Sequence, residues 1–195
     1  MKTNVKAYTD AQLLSKVKSL PDFNGIPKNY WLIGISSNED ETNINDDKFY
    51  LFKGKTFVKV FSGTTNSGLY GLKNFAKWNK KGVFVLKTNQ WIYDFWKTNQ
   101  LHKGKMKAWR QNKPCYHYRD GNKNGKSEEI GKLFFAMCGI NFHTQSYKIV
   151  ELVKRYIGGW STGCQSPNDI KDYYETLSIV DPVQEAVSYC ILKEF

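Results

Sequence analysis

A chain of 195 residues with 41% hydrophobic and 15% aromatic residues is long enough to bury a full core and lacks the composition of a disordered protein. The 29 Lys and Arg outnumber the 18 Asp and Glu, and the formal charge of +11 implies attraction to a polyanion such as nucleic acid or an anionic cell envelope. The lysines are dispersed rather than gathered on one element, which argues against specific nucleic-acid recognition. The opening MKTNVKAYTD has no apolar stretch of the signal-peptide kind and the run Leu133 to Ile140 is too short to span a bilayer, so synthesis in the cytoplasm without membrane insertion is expected.

Residues 9 to 20, TDAQLLSKVKSL, read as a short amphipathic helix capped by Thr9 with Gln12 reaching back, its apolar face formed by Leu13, Leu14, Val17 and Leu20. Pro21 ends it. From Tyr30 the pattern turns to short stretches rich in aromatic and β-branched residues: YWLIGIS, KFYLF, TFVKVFSG, GVFVLK and WIYDFW. The segment Tyr50 to Val60 predicts a hairpin around Gly54. KPCYHYRD and LFFAMCGINFH follow as strands, the second apolar enough to be central and covered on both faces, with His143 at its end. Ser166-Pro167-Asn168-Asp169 has the grammar of a helix start with Ser166 as cap, and Asp181-Pro182-Val183-Gln184 repeats it for a last helix running toward Cys190. The expected fold is mostly β with flanking helices, an α+β arrangement: a helix and linker over 1–29, then a body over 30–195 that ends in two helices.

Four cysteines, Cys115, Cys138, Cys164 and Cys190, are widely spaced and contain no Cys-x-x-Cys pair. Neither a disulfide framework nor a metal cage is expected from them, no cofactor is called for, and His102, His117 and His143 lack metal-site spacing. Cys164 alone lies in a glycine-rich turn, Gly158-Gly159-Trp160-Ser161-Thr162-Gly163-Cys164, just before an expected helix N-terminus whose dipole favours a thiolate. His143 can supply a base. A Gly-Cys turn before a capped helix is more often a packed turn than an active site, so pattern alone leaves a cysteine enzyme the minority reading.

The string His143-Thr144 followed by Ser161-Thr162-Gly163-Cys164 resembles the signature of the L,D-transpeptidase (YkuD-type) catalytic domain family, histidine followed later by Ser-x-Gly-Cys. DKFYLFKGKTFVKVFSGTTNSG is similar to the opening strands of that family, and LHKGKMKAW, YRDGN, GINFH and WSTGCQ resemble a phage-associated branch. The likeness covers roughly Tyr30 to Ser166 and implies a β-sandwich of L,D-transpeptidase type. It makes Cys164 the nucleophile, His143 the proton acceptor, and the Thr144 carbonyl the group that orients the imidazole. The main-chain N–H groups of Thr162, Gly163 and Cys164 then form an oxyanion hole, Ser161 supports the turn, and Trp160 and Arg119 hold the substrate peptide. Typical members carry glycine after the histidine and arginine or asparagine two places after the cysteine, where this chain has Thr144 and Ser166.

The resemblance implies attack on an L–D amide of the peptidoglycan stem peptide through a thioester, with water favoured over an amine as resolving group. It places the action at the bacterial cell wall, in phage lysis or in the virion. Two alternatives stand beside it. One is a basic nucleic-acid-binding module, suggested by 30 aromatics and by Lys77-Trp78 and Lys107-Ala108-Trp109. The other is a structural virion protein that keeps the fold without activity.

Overall fold

The computed structural model describes residues 5–39, 41–149 and 151–195. The chain is mostly β, with an eight-stranded sheet, a three-stranded sheet and short helices. Helix α1 spans Asp10–Lys18 and begins with the capping box of Thr9 and Gln12, which accept from each other's main-chain N–H groups. Its buried Leu13 and Val17 pack with Trp31, Tyr50, Phe52, Trp91 and Cys190, so the N-terminal helix covers one face of the large sheet.

The large sheet is built around β1 (Tyr30–Ser36), which pairs in parallel with β11 (Ala186–Lys193) and antiparallel with β2 (Asp47–Lys53). β2 turns at Gly54, φ +57°, into β3 (Thr56–Thr64). β11 pairs on its other side with the long β5 (Gln90–His102), followed by β6 (Met106–Gln111) and β9 (Asn141–Phe142). Strand alternation divides the side chains between two cores. Leu32, Tyr189 and Ile191 join the main core, while Trp31, Ile33, Cys190 and Leu192 pack beneath α1. Gly34 is required by a close approach, because the Tyr189 side chain crosses the space a Cβ would occupy.

The small sheet contains β4 (Val83–Leu86), β7 (Cys115–Asp120) and β8 (Phe134–Ala136), with β7 in the middle. Phe84, Leu86 and Cys115 extend the main core across to this sheet, and Tyr173, Leu177 and Val180 of a C-terminal helix join it. A further short helix, α2 (Leu69–Asn74), leads into a 3-10 turn (Phe75–Lys77), and Leu72 of the helix and Phe75 of the turn pack with Val83 and Val85.

Three expectations are corrected. The C-terminal helix α3 spans Ile170–Val180 and is capped by Asp169, which accepts from Lys171 N–H. Ser166 and Pro167 instead form the short strand β10, paired with Thr64 and Gly63. The expected last helix is the buried strand β11, and Cys190 lies at the centre of the sheet. The run LFFAMCGI is also not a central strand, since β8 is an edge and Leu133, Phe135 and Met137 are exposed.

Candidate active site

The two edges of the large sheet meet at the segment that carries Cys164. Ser166 and Pro167 pair with β3 at one edge, while Gln165 bridges in parallel to Phe142 of β9 at the other. His143 N–H donates to the Gln165 carbonyl at 3.1 Å, and Gln165 N–H donates to the Asn141 carbonyl at 3.0 Å. Ser166 Oγ–H adds a bond to the His143 carbonyl at 2.7 Å. The Phe142 and Gln165 side chains enter the interior, where Gln165 accepts from the Tyr189 hydroxyl at 2.6 Å. Alternation sends Asn141 and His143 to the face opposite Phe142, whereas Cys164 packs in the main core with Phe84 and Phe142.

Local geometry shapes the turn before Cys164. Ser161 Oγ accepts Gly163 N–H at 3.0 Å and donates to the Cys164 carbonyl at 2.9 Å. Gly163 has φ +116°, and a Cβ there would lie 2.7 Å from the Phe84 side chain. The Thr162 carbonyl accepts Phe84 N–H at 3.3 Å, which ties the turn to β4 of the small sheet. With Gly163 N–H held by Ser161, an oxyanion hole built on all three main-chain groups is not what the turn offers. The N–H groups of Thr162 and Cys164 are the remaining candidates, with Thr162 also bridged to Ser67.

His143 is 1% exposed and its ring is fixed from both sides. Nδ1 lies 2.7 Å from the Thr144 carbonyl, which can only accept, so Nδ1 carries the proton and Nε2 the lone pair. Nε2 is buried and has no hydrogen-bond partner among the described residues. Against the ring stacks His102, with centroids 4.3 Å apart at 17°. Asn141 in turn holds His102 Nδ1 at 2.9 Å. Thr144 is fully buried, and its hydroxyl is likewise unpartnered among the described residues.

Burial sets the protonation states. It pushes the Cys164 thiol up to about 11, against the main chain of Asn141 and the charge of Lys103, which favour the thiolate. It lowers His143 to about 3, helped by neighbouring His102, and His102 itself to about 4. At neutral pH the site holds a neutral thiol and neutral imidazoles. The thiolate expected from the sequence context is not the resting form, because α3 starts six residues beyond Cys164 and its dipole does not reach the sulfur.

The structure thus places His143 and Cys164 on adjoining segments joined through the main chain of Gln165, with Thr144 after the histidine and Ser161, Thr162 and Gly163 in the turn before the cysteine, and the Cys164 thiol makes no hydrogen bond to His143 Nε2. Trp160 is half-buried and packs against Tyr147, with centroids 5.2 Å apart. Arg119 lies on β7 with its guanidinium 5.6 Å above the Phe84 ring. Local pattern carries no sign of His102 and Asn141: His102 ends β5 at a turn far along the chain, and only the pairing of β6 with its two neighbours brings it to His143. Open clefts lie elsewhere. One of about 460 Å³ is lined by residues including Ser36, Asn38, Thr65, Lys126 and Lys193, and neither Cys164 nor His143 contributes to it. No helix of the described residues is long and apolar enough to cross a membrane.

Comparison with family models, curated proteins and solved structures finds no match to the chain.

Proposed function

We propose that the protein is a cysteine-dependent hydrolase of L,D-transpeptidase type that acts on the stem peptides of peptidoglycan at an amide between an L-configured centre and a D-amino acid. The observation that carries this reading is the His143 ring: its Nδ1–H is committed to the Thr144 carbonyl, and its Nε2 lone pair is buried without a partner on the strand that pairs with the Cys164 segment. A buried basic nitrogen left unsatisfied is costly unless it has a task.

With both groups neutral, the chemistry is general-base catalysis rather than attack by a preformed thiolate. His143 Nε2 takes the thiol proton as Sγ bonds to the carbonyl carbon, and the N–H groups of Thr162 and Cys164 receive the oxyanion. The imidazolium then gives its proton to the departing amine as the C–N bond breaks, leaving a thioester on Cys164. Water, deprotonated by the same nitrogen, adds to the thioester and releases a carboxylic acid and the thiol. His102 stacked on the ring and the nearby charge of Lys103 both disfavour a long-lived imidazolium, which favours prompt return of the proton.

Hydrolysis is favoured over transfer by the fate of Ser166. It is fully buried and its hydroxyl is committed to the His143 carbonyl, so the position two places after the nucleophile presents no polar group to an acceptor peptide. The net charge of +11 would concentrate the enzyme on an anionic wall. The test is mass spectrometry of purified muropeptides after incubation with the protein. Shortened stem peptides are expected with wild type and none with Cys164→Ala or His143→Ala, whereas crosslinked dimers as main product would refute hydrolysis. No change in any muropeptide would refute the reading altogether.

A further inference from the structure

Cys115, His117 and Cys138 form a second cluster that the proposed reaction does not use. Cys115 and His117 are two residues apart on β7, so both side chains point inward, while the intervening Tyr116 points out. Cys138 arrives from just beyond β8, the antiparallel partner of β7. The two Sγ atoms are 3.8 Å apart, and both lie within 4.8 Å of a ring nitrogen of His117. A tetrahedral zinc with bonds to sulfur of about 2.3 Å sets its two sulfurs about 3.8 Å apart. That is the separation found here, well beyond a disulfide bond of about 2.05 Å.

The surroundings fit a metal as well as the ligands do. His117 Nδ1 lies 3.2 Å from the Cys115 carbonyl, so Nδ1 is the protonated nitrogen and Nε2 keeps its lone pair, the arrangement by which a carbonyl orients a metal-binding imidazole. The ring is fixed between Phe84 and Phe134, with centroids 4.9 and 5.6 Å away. Gln111 touches both sulfurs: its Nε2–H donates to Cys115 Sγ at 3.6 Å, and its Oε1 accepts the Cys138 thiol at 3.3 Å and the main-chain N–H groups of Cys138 and Gly139, each at 2.8 Å. Cys115 is fully buried and Cys138 half-buried, which leaves a fourth position approachable from the Cys138 side.

We infer that Cys115, Cys138 and His117 bind one Zn²⁺, with water or an external donor as the fourth ligand. The metal joins the β7–β8 pair at the point where the His117 ring rests on Phe84, and the Phe84 main chain supports the Thr162–Gly163 turn. Its role is to hold the wall against which the Cys164 turn packs. The inference does not depend on the proposed reaction, because none of the three ligands takes part in it.

The experiment is titration of the full-length, reduced, metal-free protein with Zn²⁺, and separately with Co²⁺. One equivalent is expected to bind, the Co²⁺ form showing a thiolate-to-metal charge-transfer band and the strong visible absorption of a tetrahedral site. Cys138→Ser and His117→Ala should each lower affinity more than about 100-fold, and Gln111→Ala about 10–100-fold. Cys164→Ser should bind as wild type does. The wild-type Co²⁺ spectrum needs no variant, so misfolding of a variant leaves the inference testable. Absence of the charge-transfer band, binding unchanged in Cys138→Ser, or loss of binding in Cys164→Ser would overturn it.

Discussion

Replacing Gly163 by alanine should be among the most damaging small changes in the molecule. The backbone there has φ +116°, a region that residues with a Cβ adopt at a cost of about 1–3 kcal/mol. The new methyl would overlap the Phe84 carbonyl oxygen and stand 2.7 and 2.8 Å from two Phe84 side-chain carbons, and overpacking of this kind costs about 1–3 kcal/mol more. Phe84 cannot yield freely, since its ring lies against His117 and under the Arg119 guanidinium. A destabilisation of about 4 kcal/mol follows, equivalent to about 8–16 °C in Tm for a chain of this size. Gly104→Ala is the control: its φ is +67° but nothing lies within 4 Å of the added methyl, so only the left-handed conformation costs, about 1–2 kcal/mol. Thermal unfolding followed by circular dichroism reads both. Equal Tm values for the two variants would show that contact with Phe84 does not fix the turn before Cys164.

The histidine pair gives stability a pH dependence. Folding lowers His102 and His143 from an ordinary 6.5 to about 4 and about 3, so the unfolded chain binds more protons between these values. Stability is complete above pH 6.5 and falls as pH drops from there toward 3. Urea midpoints measured from pH 8 to pH 4 should decline, and less steeply in His143→Gln; a flat wild-type profile would contradict the burial argument. Alkylation separates the cysteines in a different way. Cys138 is half-buried and its pKa is lowered chiefly by its bond with Cys115, whereas Cys164 is 9% exposed and raised to about 11. Brief iodoacetamide treatment at pH 7 should therefore modify Cys138 first, and added Zn²⁺ should protect it. Peptide mapping that finds Cys164 modified first would restore a resting thiolate.

Much of the fold was legible where a local rule had no competitor. The capping box of Thr9 and Gln12, the turn at Gly54 and the aromatic, β-branched strands each specify their conformation through residues close in sequence. β11 was misread because AVSYCILK is apolar at nearly every position, and a strand buried on both faces shows no alternation to distinguish it from a helix. Ser166-Pro167 carries helix-start residues, yet pairing with Thr64 and Gly63 captures that backbone and the helix begins later, at the cap of Asp169. The pairing of Cys164 and His143 on adjoining segments was suggested by the motif resemblance. Burial of both groups was not, because it depends on the sheet edges meeting at Gln165. Cys115 and Cys138 have no telling spacing, and it is the β7–β8 register that brings them together.

A covalent acyl-enzyme on Cys164 is the centre of the functional account, and it is most directly tested by acid-quenching the enzyme during turnover of a muropeptide and measuring the intact protein mass. The account predicts a mass increase equal to the acyl portion of the stem peptide, mapped to the peptide containing Cys164 and missing in Cys164→Ala. Product formation by Cys164→Ala at the wild-type rate, or an adduct on any other residue, would contradict it.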